Sequence, residues 1–140
     1  MSTPVHIPPH KHDCVRMVDI DGTILEKKEV ELYSDAQPLP YSIDILWGWM
    51  YDGDYVVLWT ARPEELREFT EEQLTRLGIP YHELHMEKPY SHNLHIYDDN
   101  SIVSHRVDRV LGLQSSEDIN EQVFTKPQTA YFPLVPGEDD

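Results

Sequence analysis

The chain has 140 residues and a net charge of −15. This length fits one domain with a core of its own, and so acidic a surface disfavours nucleic-acid backbones and anionic membranes, which both select basic patches. The lone cysteine, Cys14, excludes an intrachain disulfide, no apolar run reaches the length needed to span a bilayer, and the proline- and histidine-bearing start lacks a signal-peptide pattern. The expectation is a cytoplasmic protein without membrane partners.

Residues 1–13 carry Pro4, Pro8 and Pro9 and read as an extended tail. Cys14 to Val18 reads as a short buried strand, with Cys14 as a buried apolar residue. The strand runs into Asp19-Ile20-Asp21-Gly22-Thr23. Residues i and i+2 share a face while a strand stays extended, and two carboxylates so placed repel each other unless a cation lies between them or one takes a proton. A divalent cation relieves that repulsion and can hold a phosphate, and Gly22 permits a sharp turn out of the strand. Taken alone, the string also suits an ordinary acidic turn.

Ile24 to Tyr33 starts apolar and becomes charged, as a flap or hairpin would. Ser42 is placed to cap a helix running to about Tyr51, with Ile43, Leu46 and Met50 on one face and Gly53 ending it. At least one of Trp47 and Trp49 should be partly exposed, since helix positions two apart face different ways. Tyr55 to Trp59 is a second apolar strand, ending at Thr60-Ala61-Arg62. Pro63 opens the clearest helix, with Glu64 and Glu65 in its first turn, Leu66, Phe69, Gln73/Leu74 and Leu77 at helical spacing, and Gly78 and Pro80 as terminators. Tyr81 to Met86 is a short strand, followed by Lys88-Pro89; His95 to Tyr97 is a further strand ending in Asp98-Asp99. Ser101 to Leu111 is expected to be a short helix, Tyr131 to Leu134 to dock on the core, and residues 136–140 to form an acidic tail, leaving 14–135 as the folded domain.

The alternation of strands and helices predicts a Rossmann-like three-layer α/β sandwich with a mainly parallel sheet. Such sheets bind ligands at the carboxyl ends of their strands, which is where Asp19, Asp21, Thr60, Lys88, Asp98 and Asp99 fall. The eight histidines fit no standard zinc spacing, and one cysteine supplies no thiolate pair.

Taken in order, Asp19-x-Asp21-Gly22-Thr23, Thr60, Lys88 and Asp98-Asp99 resemble the haloacid dehalogenase superfamily pattern over roughly Val15 to Val110. Pro80 to Pro89 with Tyr97-Asp98-Asp99 resembles the small capsule-biosynthesis-type phosphatases of that superfamily, and Thr60-Ala61-Arg62 with Asp98-Asp99 resembles polynucleotide kinase phosphatase domains. The resemblance implies an Mg2+-dependent phosphomonoesterase. Asp19 would be the nucleophile and Asp21 the general acid and base. Thr60 and Lys88 would contact the transferred phosphate, and Asp19, Asp21, Asp99 and Asp98 would surround the metal. The family's direct acidic ligand matches Asp99, while Asp98 stands where many members have glycine. Neither Thr23–Tyr55 nor Arg62–Lys88 has room for a cap domain, so the resemblance implies a capless enzyme. Its specificity would come from the flap (with Gly22 and Thr23), Arg62 and the loop carrying His92. A small phosphorylated metabolite, such as a sugar phosphate or nucleotide, is the expected substrate. The alternatives are a nucleic-acid 3′-phosphatase, which the charge disfavours, and a binding or regulatory module of the same fold with little turnover, which the intact carboxylates and lysine disfavour.

Overall fold

The computed structural model describes His12 and residues 14–91, 93–99 and 102–118. The rest of the N-terminal tail, His92, Asn100, Ser101 and the C-terminal stretch holding Tyr131 to Leu134 lie outside the described residues.

Within them the chain is an α/β fold built on a parallel sheet of three strands in the order β1-β2-β3: β1 is Val15–Val18, β2 Tyr55–Trp59 and β3 Glu83–His85. The central strand is the apolar run Tyr55-Val56-Val57-Leu58-Trp59, and its first four residues are buried. The connection from β1 to β2 holds a 3-10 helix, Val30–Asp35, and helix α1, Ser42–Tyr51; the connection from β2 to β3 holds a 3-10 turn, Glu64–Leu66, and helix α2, Arg67–Leu77. Parallel neighbours require such crossovers. Ile20, Ile24, Leu25, Leu46, Val56, Leu58 and Leu74 lie at the centre of one continuous core.

The elements expected over 42–51 and 55–59 form with those bounds, and Gly78 closes α2 in the left-handed conformation. Trp47 is half exposed, donating to the Gly78 carbonyl at 3.3 Å, while Trp49 is partly buried under Arg16, whose guanidinium carbon lies 4.4 Å from the ring centroid. Helix α2 begins at Arg67 because Glu64–Leu66 wind more tightly.

Several expectations need correction. Cys14 is exposed and precedes β1, and β1 is only half buried, with Val15 and Met17 facing outward while Val18 faces the core. The reason is position: β1 borders the described sheet and β2 fills its middle. Ser42 does not cap α1. Tyr41, at φ 64°, precedes the helix, and the Ser42 hydroxyl is buried without a hydrogen-bond partner among the described residues. Residues 93–98 form no strand and are exposed. Of the helix expected over 101–111, residues 105–111 instead form the first strand and the turn of an antiparallel hairpin, β4 (His105–Asp108) with β5 (Gly112–Asp118). Asp108 Oδ1 accepts from the Val110 and Leu111 N–H groups at 2.8 and 3.0 Å, an Asx turn that reverses the chain where a helix would have to continue. The same two bonds hold the Asp108 carboxyl below its ordinary pKa.

The hairpin also closes over the strand-end turn. A Cβ on Gly112, at φ +72°, would stand 2.8 Å from the Thr23 carbonyl oxygen and 2.9 Å from Leu39 Cβ. No described helix is long and apolar enough to cross a membrane.

Candidate active site

The register of the parallel ladder sets the site. Val18 pairs with Leu58 and Leu58 with Leu84, so Asp19, Trp59 and His85 are level across the sheet. Thr60 lies one step beyond, and Lys88 follows two residues after Met86. All of these are at the carboxyl end of the sheet, where parallel strands present ligand-binding groups.

Two turns hold that end together. After β1, the Ile20 carbonyl accepts from the Thr23, Ile24 and Leu25 N–H groups at 3.1, 3.0 and 3.0 Å, and Gly22 N–H donates to Leu25 O at 2.7 Å. Gly22 sits at φ 88°, which a side chain would strain. After β2 and β3, Thr60 N–H donates to His85 O, Lys88 N–H to Thr60 O and Glu87 N–H to Arg62 O, each at 2.9 Å. The Glu87 carboxylate accepts from Glu64 N–H at 3.0 Å. This lacing fixes Lys88 relative to Asp19.

Asp19 meets a cation and a hydroxyl. Lys88 Nζ donates to Asp19 Oδ1 at 3.0 Å, and Thr23 Oγ1 donates to Asp19 Oδ2 at 3.2 Å. The Asp19 side chain remains 36 % exposed and that of Lys88 23 %, so both can be reached from solvent. The Lys88 ammonium also lies 5.7 Å from the centroid of the Trp59 ring, within cation–π range.

Asp21 is held differently. Arg62 Nε donates to its Oδ2 at 3.1 Å and Nη2 to its Oδ1 at 2.9 Å, a two-pronged contact that fixes the carboxylate plane. The Arg62 side chain is fully buried and that of Asp21 is 13 % exposed. Arg62 was expected at the site entrance, as a substrate contact. It points inward instead, because buried oxygen acceptors surround it: Nη1 donates to Thr70 Oγ1 and Gln73 Oε1, both at 2.9 Å, and its guanidinium carbon lies 4.2 Å from the centroid of the Tyr33 ring. Burial, followed by the Asp21 charge, raises the Tyr33 pKa above its ordinary value.

Thr60 is buried, and its hydroxyl oxygen accepts from the Arg62 N–H at 3.1 Å. Asp98 and Asp99 are exposed. Among the described residues no three His, Cys, Asp or Glu side chains come together as a metal site, so the described arrangement does not unite these two aspartates with Asp19 and Asp21.

Sequence reasoning missed Tyr33, Thr70 and Gln73. The available signal was on α2, where Thr70 and Gln73 interrupt the inward face defined by Leu66, Leu74 and Leu77. Polar side chains on a buried helix face need partners, and here the partner is Arg62.

A scan against protein-family models gave no match, and neither did a search of curated proteins. Among solved structures the chain is similar to the crystal structure of an MCSG target from Vibrio cholerae, with 22% identity over 64% of this chain and 82% of that one, at a TM-score of 0.47.

Proposed function

We propose that the chain is an Mg2+-dependent phosphomonoesterase of the haloacid dehalogenase type, acting through an aspartyl-phosphate on a small phosphorylated metabolite. The proposal includes the finer architecture, a capless Rossmann-like three-layer sandwich. The observation that carries it is the pair at the sheet end: a reachable Asp19 carboxylate with Lys88 on one oxygen and Thr23 on the other, beside a second carboxylate two residues on that is buried against an arginine.

The two carboxylates suit two tasks. Asp19 attacks phosphorus, forming an O–P bond as the bond to the leaving oxygen breaks with its electron pair. Asp21, protonated on an oxygen that has left Arg62, gives its proton to that leaving oxygen. The resulting Asp21 carboxylate then takes a proton from water as the water oxygen attacks phosphorus and releases Asp19. Lys88 offsets the negative charge of Asp19 and the incoming phosphate. The Thr60 hydroxyl, still able to donate its own proton, is the neighbouring candidate for a phosphoryl oxygen.

Mg2+ accepts one or two carboxylates and keeps several waters, so the half-exposed Asp19 fits it, with the Asp21 main-chain oxygen as the second group that the resemblance implies. Asp99 and Asp98 would complete the acidic surroundings. When bound, the ion supplies positive charge that lowers the cost of bringing a phosphate dianion to a carboxylate. With Arg62 buried, the 3′-phosphatase reading loses the cation nearest the entrance that it invoked.

The test is release of inorganic phosphate from a panel of sugar phosphates, nucleoside monophosphates, a minimal aryl phosphate and a 3′-phosphorylated oligonucleotide. Turnover of the small esters that disappears in EDTA and in Asp19→Asn is expected. Undiminished turnover in a folded Asp19→Asn variant would overturn the proposal.

A further inference from the structure

We infer that Gln73 and Thr70 are positioning residues that act through Arg62 to hold the Asp21 carboxylate in the orientation needed for proton transfer. The inference rests on the phosphatase reading above and extends it to α2, which carries none of the groups assigned to phosphoryl transfer.

An ion pair between Arg62 and Asp21 needs no further partner to neutralise charge. The structure nonetheless buries two polar side chains of α2 completely, Thr70 and Gln73, and directs both oxygens at Nη1 on the edge of the guanidinium away from Asp21. Nη1 has two protons, and both are taken. Nε and Nη2 point to the two Asp21 oxygens. The planar fork is therefore held along both edges, and the rotation of Asp21 follows that of the fork. Gln73 is held in turn, since its Nε2 donates to the Tyr33 carbonyl at 2.7 Å while the Tyr33 ring covers the guanidinium.

That rigidity matters for a group whose task is proton transfer. A general acid must present its oxygen within hydrogen-bond reach of the leaving group. A carboxylate free to turn on its own χ angles spends less time there. Both Asp21 oxygens accept hydrogen bonds from Arg62 in this structure, as the acceptor-only carboxylate does, and each keeps a further lone pair for the proton taken from water. In the first half-reaction the protonated oxygen gives up its bond to Arg62 and turns its O–H to the leaving oxygen, with the other oxygen still on the fork.

The experiment compares kcat/KM for two esters in the full-length protein. An alkyl phosphate needs a proton on its leaving oxygen, and 4-nitrophenyl phosphate does not. In Gln73→Met and Thr70→Val, kcat/KM for the alkyl ester should fall about tenfold or more, and that for the aryl ester should stay within about twofold. Thr70→Ser keeps a hydroxyl acceptor for Nη1 and should retain most of the alkyl activity. A merely structural role would lower both esters together. Equal loss on both, or no loss on either, in variants whose thermal unfolding shows them folded, overturns the positioning role and leaves the phosphatase reading standing. Two variants at separate positions keep the test decisive if one of them fails to fold. Wild-type protein that hydrolyses neither ester overturns the phosphatase reading itself, and this inference with it.

Discussion

Two regions carry paired aspartates, and they differ in what surrounds them. At the carboxyl end of the sheet, Asp19 and Asp21 each meet a dedicated cation, Lys88 and Arg62, placed by ladder register, hydrogen-bonded turns and, for Arg62, the α2 acceptors Thr70 and Gln73. In the stretch 93–99, Asp98 and Asp99 follow a run that forms no regular strand and is exposed throughout. Both strings look equally motif-like in one dimension. The difference teaches that a short acidic string acquires geometry from the backbone that presents it: a parallel ladder fixes a side chain through several residues of pairing, and an exposed segment does not.

The first way to sharpen that comparison is to remove the deepest cation. Arg62→Ala leaves Asp21, Thr70 and Gln73 buried without their common donor. Breaking one partner out of a buried ion pair costs about 3–5 kcal/mol, and denaturant unfolding should register a loss of that size. Lys88→Met is the control at the same sheet end. Asp19 keeps its access to water, so the cost should stay below about 1 kcal/mol, although phosphate release should be lost. Equal destabilisation by the two changes would break the distinction between a buried and a reachable carboxylate.

Gly112 tests how the hairpin bears on the strand-end turn. Alanine there would force a Cβ to within 2.8 Å of the Thr23 carbonyl oxygen at a left-handed φ. Overpacking costs about 1–3 kcal/mol and the left-handed backbone roughly 1–2 kcal/mol more. Unfolding should show a loss of about 2–5 kcal/mol. A loss below about 0.5 kcal/mol would mean that the hairpin does not press on the Thr23 turn.

The opposite end of the sheet has its own titration. Tyr55 donates to Glu83 Oε2 at 2.6 Å, and burial followed by that hydrogen bond pushes its pKa up to about 12 from an ordinary 10.0. A raised folded-state pKa stabilises the fold fully below the unfolded value. That stabilisation is lost as pH rises through the folded value. Stability should therefore decline between about pH 10 and 12, and Tyr55→Phe should lack that part of the decline. Equal declines in both proteins would assign the alkaline loss to other groups.

Much of this was legible because it follows from periodicity. The apolar run 55–59, the spacing of Leu66, Phe69, Leu74 and Leu77, and the terminators Gly53 and Gly78 each specify local structure on their own. The location of Asp19, Thr60 and Lys88 at one sheet end followed from strands being parallel. Three features were not legible, for separate physical reasons. Which strand is central decides burial, and β1 alone does not say whether it has one neighbour or two. The direction of Arg62 depends on acceptors that come from α2, 8 and 11 residues along the chain. The hairpin at 105–118 competes with a helical reading until the Asx turn of Asp108 and the left-handed Gly112 are recognised together.

The smallest expected effect on the fold, and the sharpest on the comparison, comes from the second acidic pair. Asp98 and Asp99 are exposed, so Asp98→Asn and Asp99→Asn should each change stability by less than about 0.5 kcal/mol. As surface charges they would then be interchangeable. In the proposed phosphatase they are not. Asp99 matches the direct acidic ligand and Asp98 stands beside it, so losing Asp99 should raise the Mg2+ concentration for half-maximal phosphate release by the larger factor. Loss of a carboxylate that only steadies a ligand typically costs about 10–100-fold in metal affinity or activity, which sets the lower bound expected for Asp99→Asn. The measurement is phosphate release against Mg2+ concentration for wild type and both variants, beside their unfolding curves. A steep Mg2+ shift with unchanged unfolding would mean that the 93–99 stretch joins the sheet-end carboxylates when metal and substrate are present. Unchanged curves for both variants would confine the acidic site to Asp19 and Asp21, and Asp98-Asp99 would be surface charge.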